Sequence, residues 1–197
     1  MTKRAPGQPP LILAVSGASG APYARRLLRH LVRLKVPVEL VVSEAGARLI
    51  HDELDAPATP AGLCGGPAPG VTKRAIKDIS ARIAWGGAPT LGMAILPCSM
   101  GRVGSLAAGL SLDLMDRAAT VTLKEGRKLV LVPREAPVGA IHLEAMARLA
   151  QAGAVILPAS PGFYTRPKTL DDLLDFMVAR ICKALGLEPP DVPDYQP

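Results

Sequence analysis

Aromatic residues are scarce in this chain: two Phe, three Tyr and one Trp, 3% of 197 residues. So few rings cannot supply the stacking platform on which single-stranded bases are usually held, and they make the core aliphatic. Cysteine is equally sparse. Cys64, Cys98 and Cys182 show no C-x-x-C spacing, which argues against a zinc ribbon or a dithiol redox motif and leaves three reduced, mostly buried thiols. The three histidines, His30, His51 and His142, are dispersed, so no metal site is expected. No apolar run is long enough to span a bilayer. The first ten residues are Pro-rich and carry Lys3 and Arg4, unlike the apolar centre of a signal peptide. These absences predict a soluble, cytoplasmic protein with a loose N-terminal arm over residues 1–10.

What is present is aliphatic and basic. Hydrophobic residues make up 49% and charged residues 20%, a balance that suits buried parallel strands or faces buried between subunits. The length favours one domain, expected over residues 11–187, followed by a Pro-rich tail over 188–197. The net charge is +6. The Lys and Arg are scattered, so a small phosphorylated ligand explains the excess as well as nucleic acid does, and no nucleic-acid partner is expected.

Five apolar runs have strand length: residues 11–15, 36–42, 91–96, 129–132 and 154–157. They are near-continuous rather than alternating, as in parallel strands covered on both faces. Helical patterns lie between them, over 22–34, 105–123 and 138–151. A last helix starts at Thr169 as N-cap, with Asp171 and Asp172 in its first turn, and stops at Gly186. Residues 56–70, rich in Pro and Gly, read as a surface loop, and 86–89 as a short turn. Alternating strand and helix predict an α/β fold: a doubly wound, Rossmann-like three-layer sandwich with a mainly parallel sheet.

The first run enters Ser16-Gly17-Ala18-Ser19-Gly20 and then an amphipathic helix. The turn lacks the spacing of a dinucleotide fingerprint, a nucleophile elbow or a Walker loop. It still reads as a strand–turn–helix junction whose helix N-terminus suits an anion. In such sheets ligands sit beyond the carboxyl ends of the strands. Ser43 and Glu44 follow the second run. Cys98, Ser99, Met100, Gly101 and Arg102 follow the third. Arg134 and Glu135 follow the fourth, and Ser160, Phe163, Tyr164 and Arg166 the fifth. Serines and arginines suit phosphate; an acid and a phenol suit proton handling.

Five blocks carry a family resemblance: LAVSGASGAPYARRLL, LPCSMGRVGSLAAGL, DRAATVTLKEGRKLVLVPREAP, IHLEAMARLAQAGAVILPASPGFYTRP and DDLLDFMVARICKALGL. In order, they resemble the UbiX-type flavin prenyltransferases, an FMN flavoprotein family formerly called aromatic acid decarboxylases. The resemblance implies transfer of a dimethylallyl group from dimethylallyl phosphate or pyrophosphate to reduced FMN, without metal. The prenylated FMN would serve a partner decarboxylase, and the chain would form a homo-oligomer, as large as a dodecamer, with flavin near subunit contacts. It assigns flavin contacts to Gly17, Ala18, Ser19, Ser43, Ser99, Met100, Gly101, Arg102 and Arg134. It assigns the prenyl phosphate to Tyr164, Arg180, Lys124 and Arg117, and catalysis to Glu135, Lys124 and Glu53.

Each residue also has a structural alternative. Arg134 and Glu135 form an ion pair in one reading; Arg180 pairs with Asp175 or Glu188 in another. Lys124 also suits the last turn of a helix, and Tyr164 and Trp85 suit the core or a subunit contact. The family's Ser-Gly-Ser loop before the third run has no match in the stretch from Ile83 to Met93. The family's tail Trp corresponds to Tyr195, and Gly126 interrupts a basic run. These departures keep a second reading open: an FMN-binding flavoprotein of the same fold that does not prenylate, a flavin carrier or cysteine-decarboxylase-like enzyme.

Overall fold

The computed structural model describes residues 7–192. Its strands are β1 (Leu11–Val15), β2 (Val38–Val42), β3 (Val71–Arg74), β4 (Gly92–Cys98), β5 (Leu129–Pro133) and β6 (Val155–Ile156). Its helices are α1 (Ala21–Arg33), α2 (Glu44–Leu54), α3 (Pro60–Cys64), α4 (Met100–Ala107), α5 (Leu114–Lys124), α6 (Ala140–Gln151) and α7 (Leu170–Leu185). All strand pairs are parallel, in the order β3-β2-β1-β4-β5-β6. The chain winds outward from β1 in one direction and then, from β4, in the other.

The strands that read as continuous apolar runs are buried on both faces. In β1, Leu11, Leu13 and Val15 join one core cluster and Ile12 and Ala14 the other, the period-2 alternation of a strand. The first cluster includes Leu27, Leu28 and Leu31 of α1 and Val178, Ile181 and Cys182 of α7. The second includes Val103 of α4 and Leu114, Met115 and Ala118 of α5. Helices on both sides of a parallel sheet are the doubly wound sandwich the strand–helix alternation predicts.

The elements that differ are short or polar. Five runs were expected, but the described residues form six strands. The additional β3 reads Val-Thr-Lys-Arg, with both central residues exposed. An edge strand needs no second apolar face; this one is tied to β2 by Arg74, whose Nε and Nη2 donate to Glu39. The expected loop 56–70 contains α3, capped at its start by Thr59 and at its end by left-handed Gly65. The expected helix 105–123 is two helices, because Gly109 at φ 72° ends the first and Asp113 caps the second. The sequence reading placed no helix over α2, which Ser43 caps by accepting from the Gly46 N–H at 3.0 Å. The last helix is as expected: Thr169 and Asp172 form a reciprocal cap and Gly186 ends it at φ 74°.

Of the expected arm over 1–10, residues 1–6 lie outside the described residues; Pro10 accepts a hydrogen bond from the Leu91 N–H at 2.9 Å. Tyr195 also lies outside them. Trp85 is 64% exposed, which removes the core alternative. It follows a 3₁₀ turn, Arg82–Ala84, and the next residue is held by Arg127, which donates to the Gly86 carbonyl. Among the described residues, no helix is long and apolar enough to cross a membrane.

Candidate active site

The winding reverses between β1 and β4, and there the carboxyl ends of the strands open a cavity of about 560 Å³. That is within the range of small-molecule sites, at the position a doubly wound sheet offers its ligand. Gly17, Ser43, Ser99, Gly101 and Arg102 line it, as the sequence reading requires. So does Glu44, placed at the end of the second run, and so do Arg48, Lys77 and Asp113, which the sequence did not single out.

Two helices point their N-termini into this space. Ser43 caps α2 and Ser99 caps α4, each accepting from the helix's own first turn. A hydroxyl has one proton and two lone pairs. Both serines therefore keep an O–H to donate into the cavity. The leading N–H groups of each helix have no intrahelical carbonyl to bind. Beyond its own chain neighbours and helix backbone, nothing lies within 4 Å of where a Cβ on Gly101 would stand, so the first turn of α4 leaves its backbone open. Ser16 is different. It is 1% exposed; its hydroxyl donates to the Pro97 carbonyl at 3.0 Å and accepts from the Ser99 N–H at 2.8 Å. That serine ties β1 to β4 and has no proton left for a ligand.

The α1 terminus corrects an expectation. Its anion is already present: the Glu53 carboxylate accepts from the N–H groups of Gly20, at 3.0 Å, and Ala21, at 2.8 Å. The turn Gly17–Ser19 is thus braced by an internal acid rather than waiting for phosphate. Gly17 itself is needed for packing, because a Cβ there would lie 2.5 Å from the Cβ of Ala45. Ala18 is buried, Ser19 exposed, and the Ser19 carbonyl accepts from Nε of Arg134 at 3.2 Å.

Arg102 lines the cavity, but not as a free cation. Its guanidinium is consumed by two carboxylates. Nη1 and Nη2 donate to Asp113 at 2.9 and 2.8 Å, and Nη1 donates to Asp116 at 2.5 Å. Burial alone would discourage the charge, but the bonds to Asp113 and Asp116 outweigh it and raise the Arg102 pKa above its usual value. Asp116 is wholly buried and also accepts from Ser105 Oγ at 3.2 Å and the Leu112 N–H at 3.1 Å. The only signal for this network in the sequence was an acid, Asp113, three residues ahead of another, as in a helix cap. Met100 is buried among apolar residues and does not line the cavity.

The remaining expected residues divide between two edges of the sheet. Arg134 and Glu135 directly follow β5, and Tyr164 follows β6, so all three stand at the carboxyl edge. All are exposed. Tyr164 meets Phe176 edge to face, with centroids 5.7 Å apart. Among the described residues Arg134 and Glu135 make no ion pair with each other: Arg134 reaches Ser19, and Glu135 accepts from the Ala136 N–H at 3.2 Å. Lys124 is the last residue of α5. That helix begins beside the cavity and, at 1.5 Å per residue, carries Lys124 roughly 15 Å away toward the amino edge. Arg117 and Arg180 lie along exposed faces of α5 and α7. Neither alternative for Arg180 forms; Asp175 pairs with Arg26 instead, at 2.5 Å. One copy of the chain therefore does not collect the expected phosphate cluster.

Cys98 and Cys182 are apart from the chemistry. Burial pushes both thiols up to about 12, so they remain protonated at neutral pH.

The flavoprotein family model matches residues 2–182. The flavin prenyltransferase UbiX of Pseudomonas aeruginosa is 44% identical over 186 residues, covering 90% of this chain and 89% of its own. That of Halalkalibacterium halodurans is 42% identical over 181 residues, covering 89% and 88%. Among solved structures, AnUbiX (PadA1) in complex with FMN and dimethylallyl pyrophosphate superposes with a TM-score of 0.89 at 33% identity, over 97% of this chain and 99% of that one. A dodecameric FMN-dependent UbiX-like decarboxylase from Escherichia coli O157:H7 gives 0.86 at 39% identity, over 95% and 99%. With the match running through the whole sheet and both cavity-lining helices, this chain belongs to the flavoprotein family, among its UbiX-type flavin prenyltransferases.

Proposed function

We propose that the chain is an FMN prenyltransferase. It moves a dimethylallyl group from dimethylallyl phosphate or pyrophosphate to reduced FMN, without a metal, and the product serves a partner decarboxylase in the cytoplasm. The observation that carries this reading is the cavity at the winding reversal, with two serine-capped helix N-termini facing it, in a chain 44% identical to a UbiX enzyme.

The residues present fit FMN. The open first turns of α2 and α4, with the free O–H groups of Ser43 and Ser99, supply donors for a phosphate and a polyhydroxyl chain. Gly17 and Gly101 offer backbone at close range, Ala18, Ser19 and the main chain of Met100 are their neighbours in the chain, and Arg134 follows β5. Arg102 acts indirectly, holding α4 against α5. When bound, reduced flavin supplies the nucleophilic N5 and C6 that accept the five-carbon unit.

The chain's own groups act on the donor. When the allylic C–O bond breaks, its electron pair stays on the phosphate oxygen. Lys124, Arg117, Arg180 and the Tyr164 hydroxyl stabilise that negative charge. Glu135 takes up the proton released on ring closure or delivers one to the departing phosphate. Glu53 assists by bracing the turn at Gly20. Holding donor and acceptor together removes much of the entropic barrier.

Lys124 and Arg180 lie away from the carboxyl edge, whereas Arg117 is within one turn of the cavity-lining Asp113, so this reading requires a second copy to bring those two to it. A homo-oligomer, such as a dodecamer like the E. coli neighbour, meets that need.

The direct test is anaerobic. Purified protein is mixed with reduced FMN and dimethylallyl phosphate, and separately with the pyrophosphate, and the extracted flavin is weighed by mass spectrometry. A flavin heavier by one prenyl unit is expected. Bound but unmodified FMN with both donors would overturn the transferase reading in favour of a non-prenylating flavoprotein. Glu135→Gln should retain FMN binding and slow prenylation; loss of FMN binding would make Glu135 structural.

A further inference from the structure

Charge along the cavity is uneven. The side nearest β5 has no cation of its own in the lining, and Arg102 is neutralised by Asp113 and Asp116. At the far side, Arg48 on α2 and Lys77, three residues beyond β3, both line the space. Among the described residues neither takes part in an ion pair, and both are exposed at the mouth. Glu44 lines the same side and, among the described residues, is also without an ion-pair partner. Counted without Arg48 and Lys77, the lining acids Glu44 and Asp113, with the buried Asp116 behind Arg102, outweigh Arg102 by two charges. Such a cavity would repel a phosphate dianion. The two free cations bring the balance to neutral and put the positive end beside the first turn of α2.

We infer that Arg48 and Lys77 form a phosphate-selecting rim: they make this cavity prefer the phosphorylated flavin over riboflavin, and they set the ligand's direction, with phosphate over the β2–β3 side and ring toward Arg134 and Glu135. The inference rests on the flavin reading above and adds two specificity-determining residues to it. The geometry supports the direction independently of charge. Arg134 reaches back to Ser19 at the β1 turn, leaving the β5 side for the reacting end, and Lys77 follows β3 on the opposite side, where the carbonyl of its neighbour Ile76 accepts from the Leu114 N–H at 2.9 Å. Cations at a rim act at long range through solvent, so their contribution fades with ionic strength.

The test compares FMN with riboflavin. Dissociation constants for both are measured by flavin fluorescence, at low and high salt, for the natural chain and for the double variant Arg48→Gln, Lys77→Gln. Thermal melting confirms that the variant is folded, as exposed substitutions should leave it. The expected result is an FMN affinity about tenfold weaker in the variant at low salt, a flattened salt dependence and unchanged riboflavin binding. Unchanged FMN affinity, or an equal loss for both flavins, would overturn the selecting role. A natural chain that binds neither flavin would instead overturn the flavin reading itself, and the rim with it.

Discussion

At the scale of single residues, the most consequential group is Asp116, a carboxylate with no solvent exposure. It accepts from Arg102, Ser105 and the Leu112 backbone. Removing one partner of a buried charge pair leaves the other uncompensated, which typically costs about 3 kcal/mol or more. Asp116→Ala should therefore lower the unfolding free energy by about that amount in urea titrations. It should also weaken FMN binding, because α4 loses its anchor. The two high-pKa thiols give a pH prediction. In the unfolded chain a thiol ionises near 9.0, whereas Cys98 and Cys182 hold their protons to about 12 in the fold. The native state then binds more protons than the unfolded state between those values, so stability falls as pH rises through that window. Urea midpoints should drop between pH 9 and 11, and the drop should be shallower in Cys98→Ala. At neutral pH neither thiol should react with a thiol reagent until the protein is unfolded. The sequence predicted their burial from residue type, since free cysteine is among the most buried of residues. It could not predict that Arg102 would be spent on carboxylates, because its partners are 11 and 14 residues away and meet it only when α4 packs on α5.

At the scale of elements, the strong signals were continuous apolar runs and helix caps. β1, β4 and β5 are wholly buried, and such strands read as near-continuous apolar runs. β3 is an edge strand of polar residues, and its hydrogen-bonding partner β2 made it a strand. Because β3 was not expected, Lys77 beyond it could not be placed at the carboxyl edge. The α1 junction also depends on a contact between distant elements. Its small residues suggested an anion site, and an anion is there, but it is Glu53 from the end of α2, 33 residues away from Gly20. Glu53→Gln keeps the shape and weakens the charge–dipole attraction and the bonds to both N–H groups. It should cost about 1 kcal/mol in stability, read as a lower melting temperature. A prenylation rate that falls far more than flavin affinity in the same variant would assign Glu53 to the chemistry as well as to the brace.

At the scale of the whole molecule, the phosphate cluster is divided. Glu135 and Tyr164 stand at one edge of the sheet, while Lys124 lies toward the other. If active sites form between copies, two inactive variants should rescue each other. Mixed and reassembled Lys124→Ala and Glu135→Gln chains should regain activity at roughly a quarter of the sites, by random pairing at a symmetric interface. Absence of any regain would place the whole site within one copy. Exposed Ile141, Leu143, Phe163 and Leu170 are consistent with buried contacts between copies. The sequence by itself determined the layered fold, because the period and length of apolar runs are local properties that decide which faces must be buried. It also determined the family, through motifs whose order survives without coordinates. Only the tertiary structure decided which charges are free. A carboxylate's partner is fixed by how helices cross the sheet, so Arg102 lost its candidacy for phosphate while Arg48 and Lys77 gained theirs.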